Sequence, residues 1–486
     1  MSRTRAAAGG VALMVLTQGW LSLLGLAEAM LVPRYLGASG LGRISFAISL
    51  LSIASLFVNF GGAMHIVRTV AAREDLADRV LSAVAFLRTV VGVPVAVAVV
   101  ALSAWKMRDA AMVGLVLVYA LRVYLLWLLE ALLAYRRALR EFATQTRAES
   151  LSATVGLGGK VGLLMAGLGP LGVALGDLLT TVSALGIATF WSRRRVRLQR
   201  ASRDEVRSTV KESWPYFTYY MAQWVIGANT TNYILAAVAG YASVGVLNGA
   251  LKVMGLLFII PAAMVNALLP MLTAAFEKSR DDFSRIAQRI AAPMILVCIP
   301  LALILMIRPE DILRLFGWPR SLDPVAPVLR VCAVGLLIRY IGMYYGMLLI
   351  ASNRVWLQTR AAGVAVPVNI VLTLLLALAF DRWFGAAALG AMVAAEITEV
   401  VIGVAYMRYV GDAAIHRATG GTVGRGLLAG IPAAAVLMIP LSGRVAFLAL
   451  CVGAAGVFAG ASLLTGALRR DEVQLIAERL RAKTQP

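Results

Sequence analysis

The chain has 486 residues, 60% of them hydrophobic and only 15% charged, with a mean hydropathy of +0.82. Soluble domains carry about 25% charged residues, so a soluble enzyme and a disordered chain are excluded, and the even spread of apolar residues excludes a single membrane anchor. The 46 Lys and Arg against 25 Asp and Glu leave +21, and apolar runs of about 20 residues exclude an outer-membrane barrel, whose strands alternate over about 10.

In chain order, runs long enough to cross ~30 Å of hydrocarbon lie near 11–32, 44–66, 80–102, 111–134, 150–169, 171–191, 214–239, 243–270, 289–307, 326–350, 361–380, 384–406, 425–441 and 445–466. The expected fold is all-α and polytopic, with about fourteen transmembrane helices. The short run 425–441 and the Gly-rich pair 150–191 fit least well, and twelve is the alternative count. Arg3 and Arg5 precede the first run, and Ala27-Glu28-Ala29 resembles a cleavage site. The apolar run continues to Val32, so a first transmembrane helix is expected.

Cytoplasmic loops collect Lys and Arg. With the N-terminus inside, about two thirds of the 46 basic residues fall in inner segments. The inner stretch 191–212 holds Arg193, Arg194, Arg195, Arg197, Arg200, Arg203, Arg207 and Lys211, whereas the outer turns near Gly169-Pro170 and Gly240-Tyr241 hold none. Both termini are therefore expected in the cytoplasm. The +21 is chiefly a topology signal, with affinity for anionic lipids of the inner leaflet. From Arg469 onward, Val473, Ile476 and Leu480 are spaced as the apolar face of a short amphipathic helix on that surface.

Little in the chain points to catalysis. Cys298, Cys332 and Cys451 lie inside spans as apolar fillers. No His, Cys, Asp or Glu cluster has metal-ligand spacing, and no phosphate-binding loop occurs. The longest loops, 192–213 inside and 308–325 outside, are too short for a catalytic domain. No catalytic residue, metal, cofactor or nucleic-acid partner is expected.

An internal repeat is visible. A shift of 203 carries Gly37, Gly42 and Ala47 onto Gly240, Gly245 and Ala250, and Ala71-Ala72 and Glu74 onto Ala274-Ala275 and Glu277. A shift of 217 carries Arg122 onto Arg339 and Arg137 onto Arg354. The repeat spans six helices, an even number, so its halves share one orientation. The expected domains are two six-helix lobes, 1–207 and 208–410, with two appended helices and a tail in 411–486.

Ionisable residues inside spans are costly and normally face a bundle interior or a wet cavity. Arg88 lies near an inner end, where it can snorkel, and Glu130 is close to Arg136 and Arg137. Lys160 and Asp177, on adjacent helices, can neutralise each other. Arg122 and Arg339 sit mid-span at equal depth. One reading is a cationic site for a phosphate-bearing anion, since guanidinium donates paired hydrogen bonds to phosphate. Lys252 is a weaker member of it. The other reading is that each arginine pairs within its own lobe, with Glu396 or Asp177. Span seven is polar at Gln223, Asn229, Thr230, Thr231 and Asn232, which suits either a cavity wall that contacts sugar or helix–helix hydrogen bonding. Glu396 and Glu399 share a helix face. They can hold a proton or sodium ion, as can Asp177, or serve as counter-ions for the arginines.

The segment Pro33-Arg34-Tyr35-Leu36-Gly37-Ala38-Ser39-Gly40-Leu41-Gly42-Arg43-Ile44-Ser45-Phe46-Ala47, with Asn59-Phe60-Gly61-Gly62 and Arg68, resembles the N-terminal signature of Wzx-type polysaccharide flippases. These belong to the multidrug/oligosaccharidyl-lipid/polysaccharide (MOP) exporter superfamily. Gly62 stands where that pattern usually has Leu. The resemblance implies a carrier of undecaprenyl-diphosphate-linked oligosaccharide across the bacterial inner membrane, working by alternating access around a cavity between two lobes. Its partners would be the lipid-linked glycan, anionic lipids and other polysaccharide assembly proteins. Competing readings are a multidrug or organic-cation exporter or a peptidoglycan-precursor flippase of the same superfamily. From a different class, a membrane glycan polymerase or ligase would need a large outer loop.

Overall fold

Apolar residues without β-branched alternation or turn clusters favour helices throughout, and the computed structural model bears this out. It describes residues 3–59, 62–107, 109–139, 142–192, 199, 201–213 and 228–468, and no strand occurs among them. The helices are α1 (Arg3–Asn59), α2 (Gly62–Ala72), α3 (Ala77–Lys106), α4 (Ala110–Ala138), α5 (Phe142–Met165), α6 (Gly169–Ser192), α7 (203–213), α8 (Ala228–Leu257), α9 (Ile259–Lys278), α10 (Arg280–Leu296), α11 (Cys298–Ile307), α12 (Pro309–Phe316), α13 (Val325–Ala351), α14 (Val355–Phe384), α15 (Ala387–Val410), α16 (Ala413–Leu437) and α17 (Arg444–Leu464). Gln223, the first half of span seven and the tail from Arg469 lie outside the described residues.

Among the described residues, 12 helices are long and apolar enough to cross a membrane. Two of the departures from the fourteen expected runs have physical causes. Spans one and two are joined, because α1 bends at Gly37 without unwinding into a loop. Span five is the helix α5, but Lys160 and its many glycines lower its hydropathy. Span seven is described only from Ala228.

Helix starts follow capping rules. The Asp109 carboxylate accepts from Ala111 N and Met112 N at the start of α4, and Asp412 does the same for Ala414 N and Ile415 N at α16. Each satisfies backbone donors that the first helical turn leaves unpaired.

Contacts group the chain into two compact units, Met1–Asn248 and Gly249–Pro486. In the first, a core forms around Tyr119 and Trp127, packed by Leu51, Val58, Val116 and Val123. There the repeat-related glycines have a structural meaning. Gly37 has φ 63 and ψ −171, and Gly240 has φ 75 and ψ −175. This backbone region is essentially open to glycine alone. Just past each bend the helices cross. A Cβ on Gly42 would lie 1.7 Å from Tyr241 O, and one on Gly245 would lie 1.8 Å from Ala38 O. Ala38 and Tyr241 are themselves related by the shift of 203, so the contact is symmetric between the repeats.

In the second unit, Tyr344, Tyr345, Met347 and Leu348 pack against Leu272, Phe283, Ile290 and Ile415. Tyr344 donates to Ala287 O at 2.9 Å, and Tyr345 Oη lies 2.9 Å from His416 Nδ1. These contacts tie α13 to α10 and α16.

Candidate functional site

Each unit contains a cluster of intramembrane charges. In the first, Lys160 on α5 reaches Asp177 Oδ1 on α6 at 2.7 Å and Glu28 Oε2 on α1 at 2.8 Å. The approach depends on Gly176, where a Cβ would lie 2.3 Å from Lys160 Cγ. Tyr119 of α4 donates to Asp177 Oδ2 at 2.9 Å. The Lys160–Asp177 pairing expected from the sequence is present. Glu28 joins it.

Arg122 lies on the same side of the cluster but is not part of its ion pairs. Its guanidinium sits 5.8 Å from the centre of the Tyr119 ring, within cation–π range. Its Nε is buried without a hydrogen-bond partner among the described residues. Lys160 and Tyr119 have taken the Asp177 carboxylate that Arg122 would otherwise use.

In the second unit the repeat-related arginine has the opposite fate. Arg339 on α13 donates from Nε and Nη2 to the two Glu396 oxygens at 3.2 and 3.1 Å. Its Nη1 lies 3.4 Å from Glu399 Oε1. Both carboxylates come from α15, one turn apart. Gly335 makes room for them, since a Cβ there would lie 2.0 Å from the Glu396 carboxyl carbon. Two carboxylates face one guanidinium, an excess of one negative charge. The two units therefore share a plan, a mid-helix arginine beside a carboxylate of the next-but-one long helix, but differ in how far the arginine is committed.

The other predicted residues are placed as follows. Lys252 is half-buried on α8, beyond the Gly240 bend. Asn229 and Thr230 are half-buried in the first turn of α8. Asn232 is 3% exposed. It donates to Ser49 Oγ at 2.9 Å and accepts from Asn248 at 2.8 Å, so its amide joins helices to one another. Gln223 lies outside the described residues.

Arg88 corrects an expectation. It does not snorkel to the membrane surface. It is 1% exposed and donates to Trp127 O, to Asn59 Oδ1 at 3.0 Å and toward Glu130 Oε2 at 3.9 Å. Both terminal nitrogens of the guanidinium find partners inside the bundle, whereas Nε is buried without one among the described residues. Asn59 belongs to the sequence signature around span two, and its task here is to hold Arg88. Arg43 of the same signature pairs with Asp109 Oδ2 at 2.9 Å. The pairing of Glu130 with Arg88, on a different helix, was not legible from spacing along α4. Cys298, Cys332 and Cys451 are free thiols. No metal-ligating group occurs among the described residues.

Comparison with known proteins gives this geometry a context. Residues 31–317 match a family model described as polysaccharide biosynthesis protein. The lipid II flippase MurJ in an inward closed conformation aligns with a TM-score of 0.70 at 14% identity, over 93% of this chain and 98% of that one. An inward-facing multidrug resistance MATE family transporter of the MOP superfamily aligns with a TM-score of 0.60 at 16% identity, over 82% of this chain and 94% of that one. The MATE multidrug transporter DinF-BH gives 0.54 at 16% identity, over 84% and 95%. At such identities the likeness is one of fold. None of the curated protein sequences matches the chain.

Proposed function

We propose a function on the premise that this chain belongs to the polysaccharide biosynthesis protein family: it is a flippase that carries undecaprenyl-diphosphate-linked oligosaccharide from the inner to the outer leaflet of the bacterial inner membrane. Both termini would be cytoplasmic, and lobes 1–207 and 208–410 would rock about the site, with 411–486 appended. The fold shared with a lipid II flippase supports a lipid-borne cargo.

The observation that carries the reading is Arg122. Among the described residues it makes no salt bridge, and its Nε is buried without a partner. A guanidinium that is not bonded to a carboxylate is suited to a diphosphate, which accepts two parallel hydrogen bonds. Lys252 would add charge to the same anion. Gln223, Asn229 and Thr230 would contact sugar hydroxyls, and Asn232 would brace them.

Arg339 enters differently. The spare negative charge of Glu396 and Glu399 would be taken up by a proton or sodium ion. Loading it loosens their hold on Arg339 and frees its donors for the diphosphate, which couples transport to an ion. Asp177, pinned by Lys160 and Tyr119, would set the position of Arg122 through the Tyr119 ring.

The excess of carboxylate at Arg339 also suits an organic cation, the cargo of a multidrug exporter, and the assay is built to separate the two. Purified protein is reconstituted in vesicles with labelled lipid-linked oligosaccharide on one leaflet. Wild type is expected to move the label across. Arg122→Ala should slow it by about tenfold to a hundredfold, the worth of one or two charged hydrogen bonds. Accumulation of an organic cation without glycan movement would replace this reading by the exporter.

A further inference from the structure

The second unit holds a cavity of about 640 Å³ that neither charge cluster touches. Its walls are the middle of α10, the first half of α16 and the residues just past α17. Four arginines line it, Arg285 and Arg289 from α10 and Arg417 and Arg425 from α16, with Gln288 and Thr422 between them. No carboxylate is among its lining residues.

Helical spacing builds this face. Arg285, Gln288 and Arg289 are three and four apart, so they share one side of α10. Arg417 and Arg425 are two helical turns apart on α16, and Gly421 lies between them. A Cβ on Gly421 meets nothing within 4 Å, so the glycine leaves the space between the arginines open.

The arginines are unequally committed. Arg285 pairs with Asp282 at 3.2 Å, and Arg425 donates to Gly466 O at 3.2 Å. Arg417 has only a 3.3 Å contact with Ala413 O of its own helix. Arg289 has no hydrogen bond or ion pair among the described residues. The nearest acids are already engaged. Asp282 is held by Lys278 at 3.0 Å as well as by Arg285, and Asp412 caps α16. Four like charges around one cavity repel, and an anion relieves that cost.

The positive-inside pattern puts these three helix ends at the cytoplasmic surface. Immediately deeper on α16, Leu427, Leu428 and Ile431 are exposed, as is Leu464 at the end of α17. A molecule with phosphate in the cavity and hydrocarbon along this surface would satisfy both.

We propose that this cavity binds the phosphate headgroup of an anionic phospholipid from the cytoplasmic leaflet, with its acyl chains lying against the apolar surface of α16. The inference does not depend on the cargo of the transporter. It assigns the protein a second, lipid-binding site, held by Arg289 and Arg417 and completed by Arg285 and Arg425. Basic pockets between helices at the cytoplasmic surface are suited to such headgroups.

The test is native mass spectrometry of the full chain, titrated with phosphatidylglycerol, with phosphatidylcholine and with inorganic phosphate. Wild type is expected to retain one phosphatidylglycerol in preference to phosphatidylcholine. Arg289→Gln with Arg417→Gln should weaken that binding by roughly tenfold to thirtyfold, given the worth of each basic residue near a lipid surface. Gly421→Phe should weaken it as well, by filling the cavity while all four arginines remain. If the double variant does not fold, the Gly421 variant decides. Equal retention of phosphatidylglycerol by wild type and variants overturns the proposal. So does displacement of the lipid by inorganic phosphate at equal concentration, which would make this a site for the free anion.

Discussion

The two mid-span arginines show how one residue type acquires two roles. Arg339 holds Glu396 with two hydrogen bonds, and Gly335 leaves the room. Gly335→Ala would press a methyl group into the Glu396 carboxylate. That carboxylate is buried and doubly bonded to Arg339, so displacing it should cost about 1–3 kcal/mol. The expected functional change is that Glu396 swings off Arg339, and transport in vesicles loses its dependence on an imposed ion gradient, with a lowered melting temperature. Lys160 is the opposite case. Among the described residues it is the cation bonded to both Glu28 and Asp177. Lys160→Met strands two carboxylates and should cost about 3–5 kcal/mol, the usual penalty for breaking a buried pair from one side. Adding Asp177→Asn should restore part of it, as thermal melting in detergent would report. The sequence made these charges conspicuous but left their partners open. Partners across α13 and α15, or α5 and α6, depend on how far each helix is rotated about its axis, which residue spacing does not encode. The signal that was available is the small residue beside each charge. Gly335 stands one turn before Arg339, and Gly176 adjoins Asp177.

At the scale of elements, the repeat was the most legible feature. The shift of 203 rests on a few glycines and alanines, and it pairs Gly37 with Gly240 in nearly the same backbone conformation. It also pairs the two halves of one close crossing. Gly42 and Gly245 each face a backbone carbonyl that cannot yield without moving a helix. Gly42→Ala should therefore destabilise by about 1–3 kcal/mol, as overpacking does. The combination with Gly245→Ala should cost less than the sum, because once the helices separate the second methyl finds room. Additive losses in a melting series would contradict a shared crossing. Span boundaries were less legible. The apolar runs imply a loop near Gly37, but a single glycine with positive φ bends the chain, and no polar run is needed. Depth alone puts Arg88 at the membrane surface, but Asn59, Trp127 and Glu130 meet it inside the bundle. That constellation draws on separate helices and has no local signature.

For the whole molecule, composition established the membrane class, and the charge distribution supplied an expected topology. The family match then places the chain in the polysaccharide biosynthesis protein family, and its fold is shared with a lipid II flippase and a MATE family transporter. The cargo reading rests on one difference between otherwise parallel clusters: Arg339 is bonded to two carboxylates, and Arg122 is not. The claim is tested most directly by the rate at which labelled undecaprenyl-diphosphate-linked oligosaccharide crosses reconstituted vesicles. The comparison is between wild type, Arg122→Ala and Arg339→Ala, each at matched melting temperature. The account predicts that wild type moves the lipid and that Arg122→Ala slows it by about tenfold or more. It also predicts that Arg339→Ala slows it and removes its response to an ion gradient. Movement by Arg122→Ala at the wild-type rate would contradict it.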